Sequence, residues 1–426
     1  METLLIKNGF VVDVINKENS KVQDIYIKNG IIYQISKNIK KTANKTIDAT
    51  GTVIMPGLIN THNHSAMTLF RGYADDSELM DWLENRIWPA EEKLTGEDVY
   101  YGTKLACIEM IKSGTTMFND MYFFTEDSAK AVKETGIRAM LGRCIMAVEN
   151  DDDERIKEAI DIIKKYKNDE FIFPCVAPHA PYTCNDKAIK MSVDIAKRYN
   201  VPFHIHLAET KEEVEIIKKR NNVTPTEYLN SLNVFDTHTI LAHCVWLTDN
   251  DINILKKSCA NANISHNPIS NSKLGSGIAR ITDIIKEGIN VSLGTDGAGS
   301  TNNLDMFEEM KICAYMQKAK NLSASCIDAY KIIQMATING AKTLSVEDKL
   351  GSIETNKKAD LIIIDTENIK FKPENDIFSN LVYVSNGNDI KYTIINGKVI
   401  YENGKVNNIN EKEIKEKCKK ISKRLL

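Results

Sequence analysis

Four short polar patches, each directly after a run of apolar residues, constrain the fold of this chain more than any other feature. They lie at residues 61–64, 204–209, 241–243 and 294–296, and they hold five of the eight histidines together with carboxylate side chains. Short apolar runs of this kind are typical of buried parallel strands. A single metal ion at the mouth of a barrel requires such an arrangement, which indicates hydrolysis by a metal-activated water.

The middle of the chain, residues 56–346, alternates strand-like and helix-like segments. The strand-like segments are 59–61, 115–118, 138–141, 172–176, 203–206, 239–242, 262–264 and 291–293. Helical patterns lie at 98–113, 127–135, 154–166, 185–199, 212–219, 249–258 and 278–287. Eight strand–helix units of this total length favour a (β/α)₈ barrel over a doubly wound sheet.

Both ends of the chain are rich in strand-like sequence. Asn29-Gly30 and Asn396-Gly397 each separate two apolar segments, which is a strong hairpin signal. We therefore expect one small β-sandwich built from residues 1–55 and 347–426, around a barrel at 56–346. The basic run at 412–424 has apolar residues at helical spacing, so we expect a solvated terminal helix there.

The composition limits the partners and the location. Charged residues make up 27% of the chain and the net charge is −3, so the charge balance favours neither nucleic acid nor a membrane as a partner. The nine cysteines are odd in number and include no Cys-x-x-Cys pair. This cysteine usage predicts a reduced, cytoplasmic protein.

Four of the patch residues form a candidate metal site. His62 and His64 are two residues apart, so in a strand their side chains point to the same face. His206 ends a second strand, and Asp296 follows a third. Three imidazoles and one carboxylate suit one divalent metal, with Zn²⁺ as the first choice and Fe²⁺ or Mn²⁺ as alternatives.

Two further patch residues are candidates for proton transfer. Glu209 follows His206 by three residues and could carry a proton from the activated water to the substrate. Its alternative role is that of a helix-start carboxylate favoured by the helix dipole. His243, at the end of the next strand, is expected to orient the nucleophile, and its alternative role is structural.

At these residues the chain resembles the amidohydrolase superfamily. Residues 53–64 are similar to the signature of the first strand in that superfamily, and residues 351–353 and 358–361 are similar to a late signature. The resemblance covers essentially the whole chain and implies a metal-bearing (β/α)₈ barrel with a β-sandwich from the two ends.

The resemblance also implies a reaction. Many members hold two metals bridged by a carboxylated lysine on the fourth strand, but residues 171–179 contain no lysine. The patch at 204–209 instead resembles the single-metal aminohydrolase branch. There the matching positions imply His62, His64, His206 and Asp296 as ligands, and Glu209, His243 and Asp296 as catalytic groups in a hydrolytic deamination.

Further patches resemble the 5′-methylthioadenosine/S-adenosylhomocysteine deaminase branch. That resemblance implies that Trp82 packs on the nucleoside, that Glu91 and His179 reach the ribose, and that Ser300 meets the base. Glu209 and Asp296 would also contact the substrate. A carboxylate such as Glu91 suits a vicinal diol because it accepts two hydrogen bonds. Trp82 could equally be a core residue.

Arg143 and Arg155 match the branch positions that grip the carboxylate of S-adenosylhomocysteine. Arginine is the expected residue for bidentate carboxylate recognition. Arg143 could instead form a structural ion pair, and Arg155, which follows an acidic run at 151–154, could be a surface helix residue. The resemblance favours a 5′-modified adenosine as the small-molecule partner and implies a homo-oligomer.

Two other functions stay open at this point. Relatives on the same site deaminate guanine or cytosine, or displace chloride from triazines, but a bare base needs neither a ribose contact nor a carboxylate grip. A non-enzymatic binding protein on an inactive barrel would have lost ligands, whereas this chain keeps all four.

Overall fold

The computed structural model describes residues 2–77, 79–147 and 153–426 and contains two large β-sheets. Residues 151 and 152 of the acidic run lie outside this part. The chain begins with β1 (Thr3–Val11), β2 (Lys21–Lys28), β3 (Ile31–Ser36), β4 (Lys45–Asp48) and β5 (Thr52–Pro56). These five strands belong to the first sheet.

The second sheet is the barrel. Its strands are β6 (Leu58–Asn63), β7 (Thr115–Tyr122), β8 (Arg138–Ile145), β9 (Ile172–Pro178), β10 (Phe203–Leu207), β11 (Thr239–His243), β12 (Ala262–His266) and β13 (Asn290–Leu293). Each pairs in parallel with its neighbours in chain order. All eight expected strands are present, and the predicted eight-stranded parallel barrel is confirmed.

The barrel is nearly closed by a polar seam between β6 and β13. Thr61 Oγ1 donates to the Leu293 carbonyl at 2.9 Å, and the Asp296 amide donates to the His62 carbonyl at 2.9 Å. The Asn60 side chain donates to Thr295 Oγ1 at 2.7 Å and accepts from the Thr295 amide at 3.0 Å. The seam therefore brings the first and last strands of the barrel together.

The chain ends with β14 (Leu361–Asp365), β15 (Ile390–Ile395), β16 (Lys398–Glu402) and β17 (Lys405–Val406). With β1–β5 they form one continuous sheet in the order β17-β16-β15-β14-β5-β1-β2-β3, and β4 pairs with β1. The expected association of both chain ends is therefore present as a single nine-stranded sheet. We propose residues 1–55, 56–346 and 347–426 as the domain limits.

Alternation of side chains gives this sheet two buried faces. On β5, Val53 and Met55 belong to the large core shared with the barrel, whereas Ile54 belongs to a separate apolar cluster on the opposite face. On β14, Ile362 belongs to the core shared with the barrel, and Ile363 belongs to the cluster on the opposite face. Successive strand residues point to opposite faces, so an uninterrupted apolar run is required at these two central strands.

Helices surround the barrel and cover one edge of the sheet. They are α1 (Leu79–Trp82), α2 (Trp88–Glu91), α3 (Gly96–Lys112), α4 (Thr125–Thr135), α5 (Asp153–Tyr166), α6 (Asp186–Tyr199), α7 (Lys211–Asn221), α8 (Pro225–Ser231), α9 (Asp249–Lys257), α10 (Pro268–Lys273), α11 (Ile281–Lys286), α12 (Ala298–Thr301), α13 (Met306–Asn321), α14 (Ala329–Ala336), α15 (Ile338–Thr343), α16 (Ile377–Tyr383) and α17 (Glu411–Leu425). Among the described residues, no helix is long and apolar enough to cross a membrane. None of the nine cysteines forms a disulfide.

The helical predictions differ from the structure in the bounds of one segment and in several helices that were not predicted, among them α8, α13, α14, α15 and α16. The segment expected at 278–287 is shorter, because Gln317 donates to the Ala279 carbonyl and Lys320 to the Ile278 carbonyl, so α11 begins only at Ile281. Helix α13 was not expected. It buries Gln317 and exposes Tyr315, and this mixture obscures the helical spacing of its apolar residues.

The terminal helix α17 is amphipathic. Ile414, Ile421 and Leu425 are buried, while the lysines between them face solvent, as the spacing predicts. Cys418 lies on the same buried face and donates to the Tyr101 carbonyl of α3 at 3.4 Å. The helix thus packs against the outside of the barrel.

A buried ion pair joins the barrel to the nine-stranded sheet. Arg138, at the start of β8, donates from Nε and Nη2 to the two carboxylate oxygens of Asp360 at 2.7 and 3.1 Å, and from Nη1 to the Glu170 carbonyl at 2.6 Å. The two side chains are 1% and 3% exposed. Asp360 also accepts from the Asn396 amide at 2.8 Å, so one carboxylate ties β8 to the β15–β16 turn.

We expect Arg138→Met to destabilise the protein by about 3–5 kcal/mol, because removing one partner leaves a buried charge uncompensated. The measurement is the free energy of unfolding in urea, followed by circular dichroism. Lys256→Met is the control, since Lys256 pairs with Glu287 where both side chains are 54% and 38% exposed, and it should change stability by less than about 0.5 kcal/mol. Equal effects of the two substitutions would contradict the expected role.

Candidate active site

The four polar patches meet at the carboxyl ends of the barrel strands. His62 and His64 lie at the end of β6, His206 on β10, His243 at the end of β11, and Asp296 just after β13. The Nε2 atoms of His62 and His64 are 3.4 and 3.2 Å from Asp296 Oδ1. The Nε2 atoms of His64 and His206 are 3.2 Å apart. The four residues expected to share one ion are therefore in one cluster.

Backbone carbonyls determine which ring nitrogens carry protons. His64 Nδ1 lies 2.7 Å from the Met121 carbonyl, and His206 Nδ1 lies 2.6 Å from the His179 carbonyl. A carbonyl only accepts, so both Nδ1 atoms are N–H donors and both Nε2 atoms of the neutral rings present lone pairs. Two lone pairs that face each other at 3.2 Å repel unless a cation lies between them.

Burial keeps the imidazoles of His62 and His206 neutral, as metal ligands must be. Burial lowers the pKa of His62 to about 3 and holds the pKa of His206 well below its ordinary value. His62 Nε2 is buried without a hydrogen-bond partner in the structure. An orphaned nitrogen, two facing lone pairs and a nearby carboxylate fit a divalent cation with nitrogen and oxygen ligands.

Asp296 is oriented by its own contacts. Oδ2 accepts from Ser270 Oγ at 2.7 Å and from Ser300 Oγ at 2.9 Å, while the Gly297 amide donates to Oδ1 at 2.8 Å. Burial alone would raise the pKa of this carboxyl, but attraction by the facing imidazoles, that of His62 first, outweighs burial and holds the pKa well below its usual range. The side chain is therefore a carboxylate whose Oδ1 faces His62 and His64.

Gly294 is required where β13 approaches β6. A Cβ on this residue would lie 2.6 Å from Asn267 Oδ1 and 2.8 Å from the His62 amide nitrogen. Contacts under 3.0 Å with backbone atoms are not tolerated by real side chains. The absence of a side chain at Gly294 thus allows Asp296 to reach the histidines of β6.

Several residues at the strand ends have left-handed backbone. Ala208, His243 and Asp296 have φ values of 49°, 72° and 65°, a region that residues other than glycine rarely adopt. Such strain persists only where surrounding contacts impose it, and it concentrates at functional sites. Here it turns the backbone sharply beyond the end of each strand, and the side chains of His243 and Asp296 both lie beside His62.

Glu213 secures the backbone around Glu209. Its two carboxylate oxygens accept from the Ala208 amide at 2.9 Å and the Glu209 amide at 2.8 Å. It lies in the first turn of α7, whose N-cap Thr210 accepts from the Glu213 amide. Burial raises the pKa of Glu213 to about 7.

Glu209 and His243 form a buried acid–base pair. Glu209 Oε2 lies 3.7 Å from His243 Nε2, and Glu209 Oε1 accepts from Ser276 Oγ at 3.5 Å. Burial raises the pKa of Glu209. Burial by itself would lower the pKa of His243, but the charges of Glu209 and Asp296 outweigh it, so the pKa is raised. The nitrogens of His62, His206 and His243 also lie within 4.8 Å of one another, which places His243 beside the cluster.

A cavity of about 670 Å³ opens over the cluster. Its walls are largely aromatic and thioether side chains, and its polar groups converge at one end. Six residues expected to bind substrate line it, together with Met67, Met121 and Tyr182; the six are Trp82, Glu91, His179, Glu209, Asp296 and Ser300. Apolar walls with a few convergent polar groups are typical of small-molecule sites.

One irregular helical segment supplies a whole wall of this cavity. Helices α1 and α2 are joined by a π-helical turn at Leu83–Ile87, a feature that is frequent at functional sites. Trp82 precedes the turn, and Glu91 follows it. Tyr122 donates to Glu91 Oε1 at 2.6 Å, and burial raises the pKa of Glu91 to about 7.

Arg143 and Arg155 lie beside the central cavity rather than on its wall. Both line a neighbouring cleft of about 910 Å³ that shares Trp88, Glu91 and Met146 with the cavity. Arg143 pairs with Glu158 of α5. Arg155 Nη1 donates to the Met146 carbonyl at 3.1 Å. The sequence analysis allowed an ion pair for Arg143 and a helical position for Arg155. The structure contains both features.

Some supporting residues were not identified from the sequence. His204 Nε2 lies 3.0 Å from His62 Nδ1, although only His206 of this patch was assigned to the site. The two histidines are two residues apart, so both face inward, and His204 lies one layer deeper. Ser270 and Asn271, which contacts His243 Nδ1 at 2.8 Å, follow β12, and their position after a strand end was an available signal.

The chain belongs to the amidohydrolase family, whose model matches residues 53–400. A 5′-deoxyadenosine deaminase of Methanocaldococcus jannaschii is 45% identical over 98% of this chain and 98% of the relative. A 5-methylthioadenosine/S-adenosylhomocysteine deaminase of Carboxydothermus hydrogenoformans is 44% identical over 100% of this chain and 98% of the relative.

A solved structure has the same architecture throughout. An adenosine deaminase of Xanthomonas campestris with bound zinc superposes with a TM-score of 0.95 at 31% sequence identity, covering 99% of this chain and 98% of that one. The fold predicted from the strand-end patches and the superfamily resemblance are therefore both confirmed.

We expect His206→Ala to lose most of its capacity for divalent metal, because one of the two facing nitrogens is removed. The measurement is the metal content by mass spectrometry after reconstitution with Zn²⁺ and exhaustive dialysis. His238→Asn is the control, since His238 contacts the Thr343 carbonyl at 2.8 Å and lies outside the cluster. The same metal content in both variants would rule out His206 as a ligand.

Proposed function

We propose that this chain is a divalent-metal-dependent aminohydrolase that converts 5′-modified adenosines to the matching inosines with release of ammonia. The observation that carries the proposal is the buried cluster of His62, His64, His206 and Asp296 at the end of an aromatic cavity, with Glu209 beside it. The identity to curated deaminases over the full chain supports the same reaction.

In this proposal the cluster holds one divalent cation, with Zn²⁺ as the first choice and Fe²⁺ or Mn²⁺ as alternatives. The zinc in the related adenosine deaminase structure supports Zn²⁺. When bound, such a cation acts as a Lewis acid that makes water nucleophilic near neutral pH.

Glu209 moves the protons of the reaction. Its carboxylate takes a proton from the attacking water and delivers it to the ring nitrogen beside the amino-bearing carbon. A carbon–oxygen bond forms at that carbon, and the second proton of the water passes to the amino group. The bond between the carbon and the amino group then breaks, and ammonia leaves with no change in oxidation state. The raised pKa of Glu209, which burial causes, makes its carboxylate a better proton acceptor than an exposed one.

His243 and Asp296 position the nucleophile in this mechanism. His243, 3.7 Å from Glu209, orients the nucleophile on the side of the proton carrier. Asp296, kept ionised by its surroundings, accepts from the nucleophile on the opposite side. Their left-handed backbone directs both side chains toward the reacting carbon.

The cavity walls bind the nucleoside. Trp82 packs on it, Ser300 meets the base, and Glu91 with His179 reaches the ribose hydroxyls. Glu91 already accepts one hydrogen bond from Tyr122, and its second oxygen remains for a hydroxyl. The cleft beyond Glu91, lined by Arg143 and Arg155, receives the 5′-substituent.

The direct test is loss of the adenine absorbance band with Zn²⁺-loaded protein and adenosine, 5′-deoxyadenosine, 5′-methylthioadenosine or S-adenosylhomocysteine. We expect conversion of these adenosines to inosines. Guanine and cytosine serve as the comparison, and we expect neither to be deaminated. If no adenosine were deaminated while guanine or cytosine was, the roles proposed for Trp82, Glu91 and His179 would be contradicted.

We expect Glu209→Gln to lower kcat by about 10²- to 10⁴-fold, the usual contribution of general acid–base groups, while Zn²⁺ content stays at the native level. The amide is nearly the same size but cannot carry a proton. Steady-state kinetics and metal analysis on the same sample check both parts. Near-native kcat would remove Glu209 from the mechanism, whereas loss of metal would make it a ligand.

A further inference from the structure

We propose that Glu158 sets the charge of the cleft that receives the 5′-substituent, and that this chain therefore prefers adenosines with an uncharged 5′-substituent over those that end in a carboxylate. The inference rests on the proposed function, since it concerns the substrate class of the same site. Glu158 is a positioning residue in this proposal, because it acts through Arg143 rather than on the nucleoside.

Arg143 lies where a 5′-substituent leaves the central cavity. The guanidinium lines the cleft of about 910 Å³ that shares Trp88, Glu91 and Met146 with that cavity. It also lines a second, outer cleft of about 840 Å³, whose wall includes Glu158. A substituent that passes Glu91 thus reaches Arg143 before it reaches solvent.

Two of the five N–H donors of Arg143 are already engaged, one on Nε and one on Nη1. Nε donates to Glu158 Oε2 at 2.5 Å, and Nη1 donates to the Cys144 carbonyl at 2.7 Å. The guanidinium carbon lies 5.4 Å from the centre of the Phe123 ring, which fixes its plane. Within the described residues, Nη2 is the guanidinium nitrogen that has no hydrogen-bond partner.

A substrate carboxylate that binds the Nε–Nη2 edge of Arg143 must compete with Glu158. Arginine holds carboxylates most strongly through two parallel N–H donors, and on the Nε–Nη2 edge of Arg143 one of these two donors already binds Glu158. A carboxylate could use the Nε–Nη2 edge only by displacing Glu158. A neutral substituent such as a methyl or methylthio group needs no such displacement and can pack on Met146 and Phe123.

The outer cleft also opposes an anion. Its wall carries the carboxyl groups of Glu126, Asp127, Glu158 and Asp161, and Arg143 is its one basic residue within the described part of the chain. The Arg143 side chain is 12% exposed, whereas that of Glu158 is 50% exposed. Solvent thus screens Glu158 only in part, and its charge neutralises Arg143 at the mouth of the cleft.

The test compares Glu158→Gln with the native protein on 5′-deoxyadenosine and three thioethers. These are S-adenosylhomocysteine, a 5′-thioadenosine ending in a carboxylate without an amine, and one ending in an ammonium without a carboxylate. For each protein, the kcat/KM for the carboxylate compound is divided by the kcat/KM for 5′-deoxyadenosine. We expect this ratio to be about three- to tenfold higher in Glu158→Gln, because the substitution removes one partly screened charge. The ratio for the ammonium compound should not rise.

Asp161→Asn is the matched control, since it removes a carboxylate from the same cleft without touching Arg143. We expect it to change the carboxylate ratio less than twofold, about the limit for a screened surface charge. A half-exposed ion pair contributes little to stability, so Glu158→Gln should fold, which circular dichroism checks. The native protein alone gives a second measurement, in which kcat/KM for 5′-deoxyadenosine should exceed that for the carboxylate compound.

The outcomes separate the two proposals. An unchanged or lower carboxylate ratio in Glu158→Gln, or a native preference for the carboxylate compound, overturns the role of Glu158. A selective loss of S-adenosylhomocysteine and ammonium-compound turnover would make Glu158 an acceptor for the substrate amine, which also overturns it. Failure of the native protein to deaminate any adenosine would instead overturn the proposed function itself.

Discussion

The polar seam between the first and last barrel strands is the interaction on which the site depends. Asn60 and Thr61 bind the segment 293–295 through side chains, and the Asp296 amide donates to the His62 carbonyl. These contacts join residues more than two hundred positions apart. They place Asp296 Oδ1 against the β6 histidines, and Gly294 allows the approach. An open barrel would leave the histidines without their carboxylate.

Around that seam, hydrogen bonds from neighbouring groups hold the polar residues of the active site in place. Carbonyls hold the Nδ1 atoms of His64 and His206, serines hold one oxygen of Asp296, and Glu213 holds the backbone before Glu209. Buried donors and acceptors are costly when unpaired. Among the buried atoms that have no partner, His62 Nε2 lies in the histidine–aspartate cluster, and it indicates where a cation belongs.

Much of this arrangement could be predicted from the sequence. Strand-like runs that end in histidine or aspartate predicted the barrel and the cluster, because the carboxyl ends of barrel strands share one face. The two-residue spacing predicts that His204 and His206 face the same side of the strand. It does not show which of the two histidines lies at the level of the metal cluster and which lies below it. The pairing of Arg143 with Glu158 was also hidden, because it depends on how α5 packs against β8. Helix α13, with its buried Gln317 and exposed Tyr315, lacked a clear apolar face.

The nine-stranded sheet has a consequence for how the protein is made. β5 pairs with β14 along its whole length, but β14 leaves the ribosome only after the entire barrel. Until then, one edge of a strongly apolar strand has no partner, and an open edge is a template for pairing with other chains. The nascent barrel must therefore fold beside an unfinished sheet, and prompt arrival of the last segment protects the chain from aggregation.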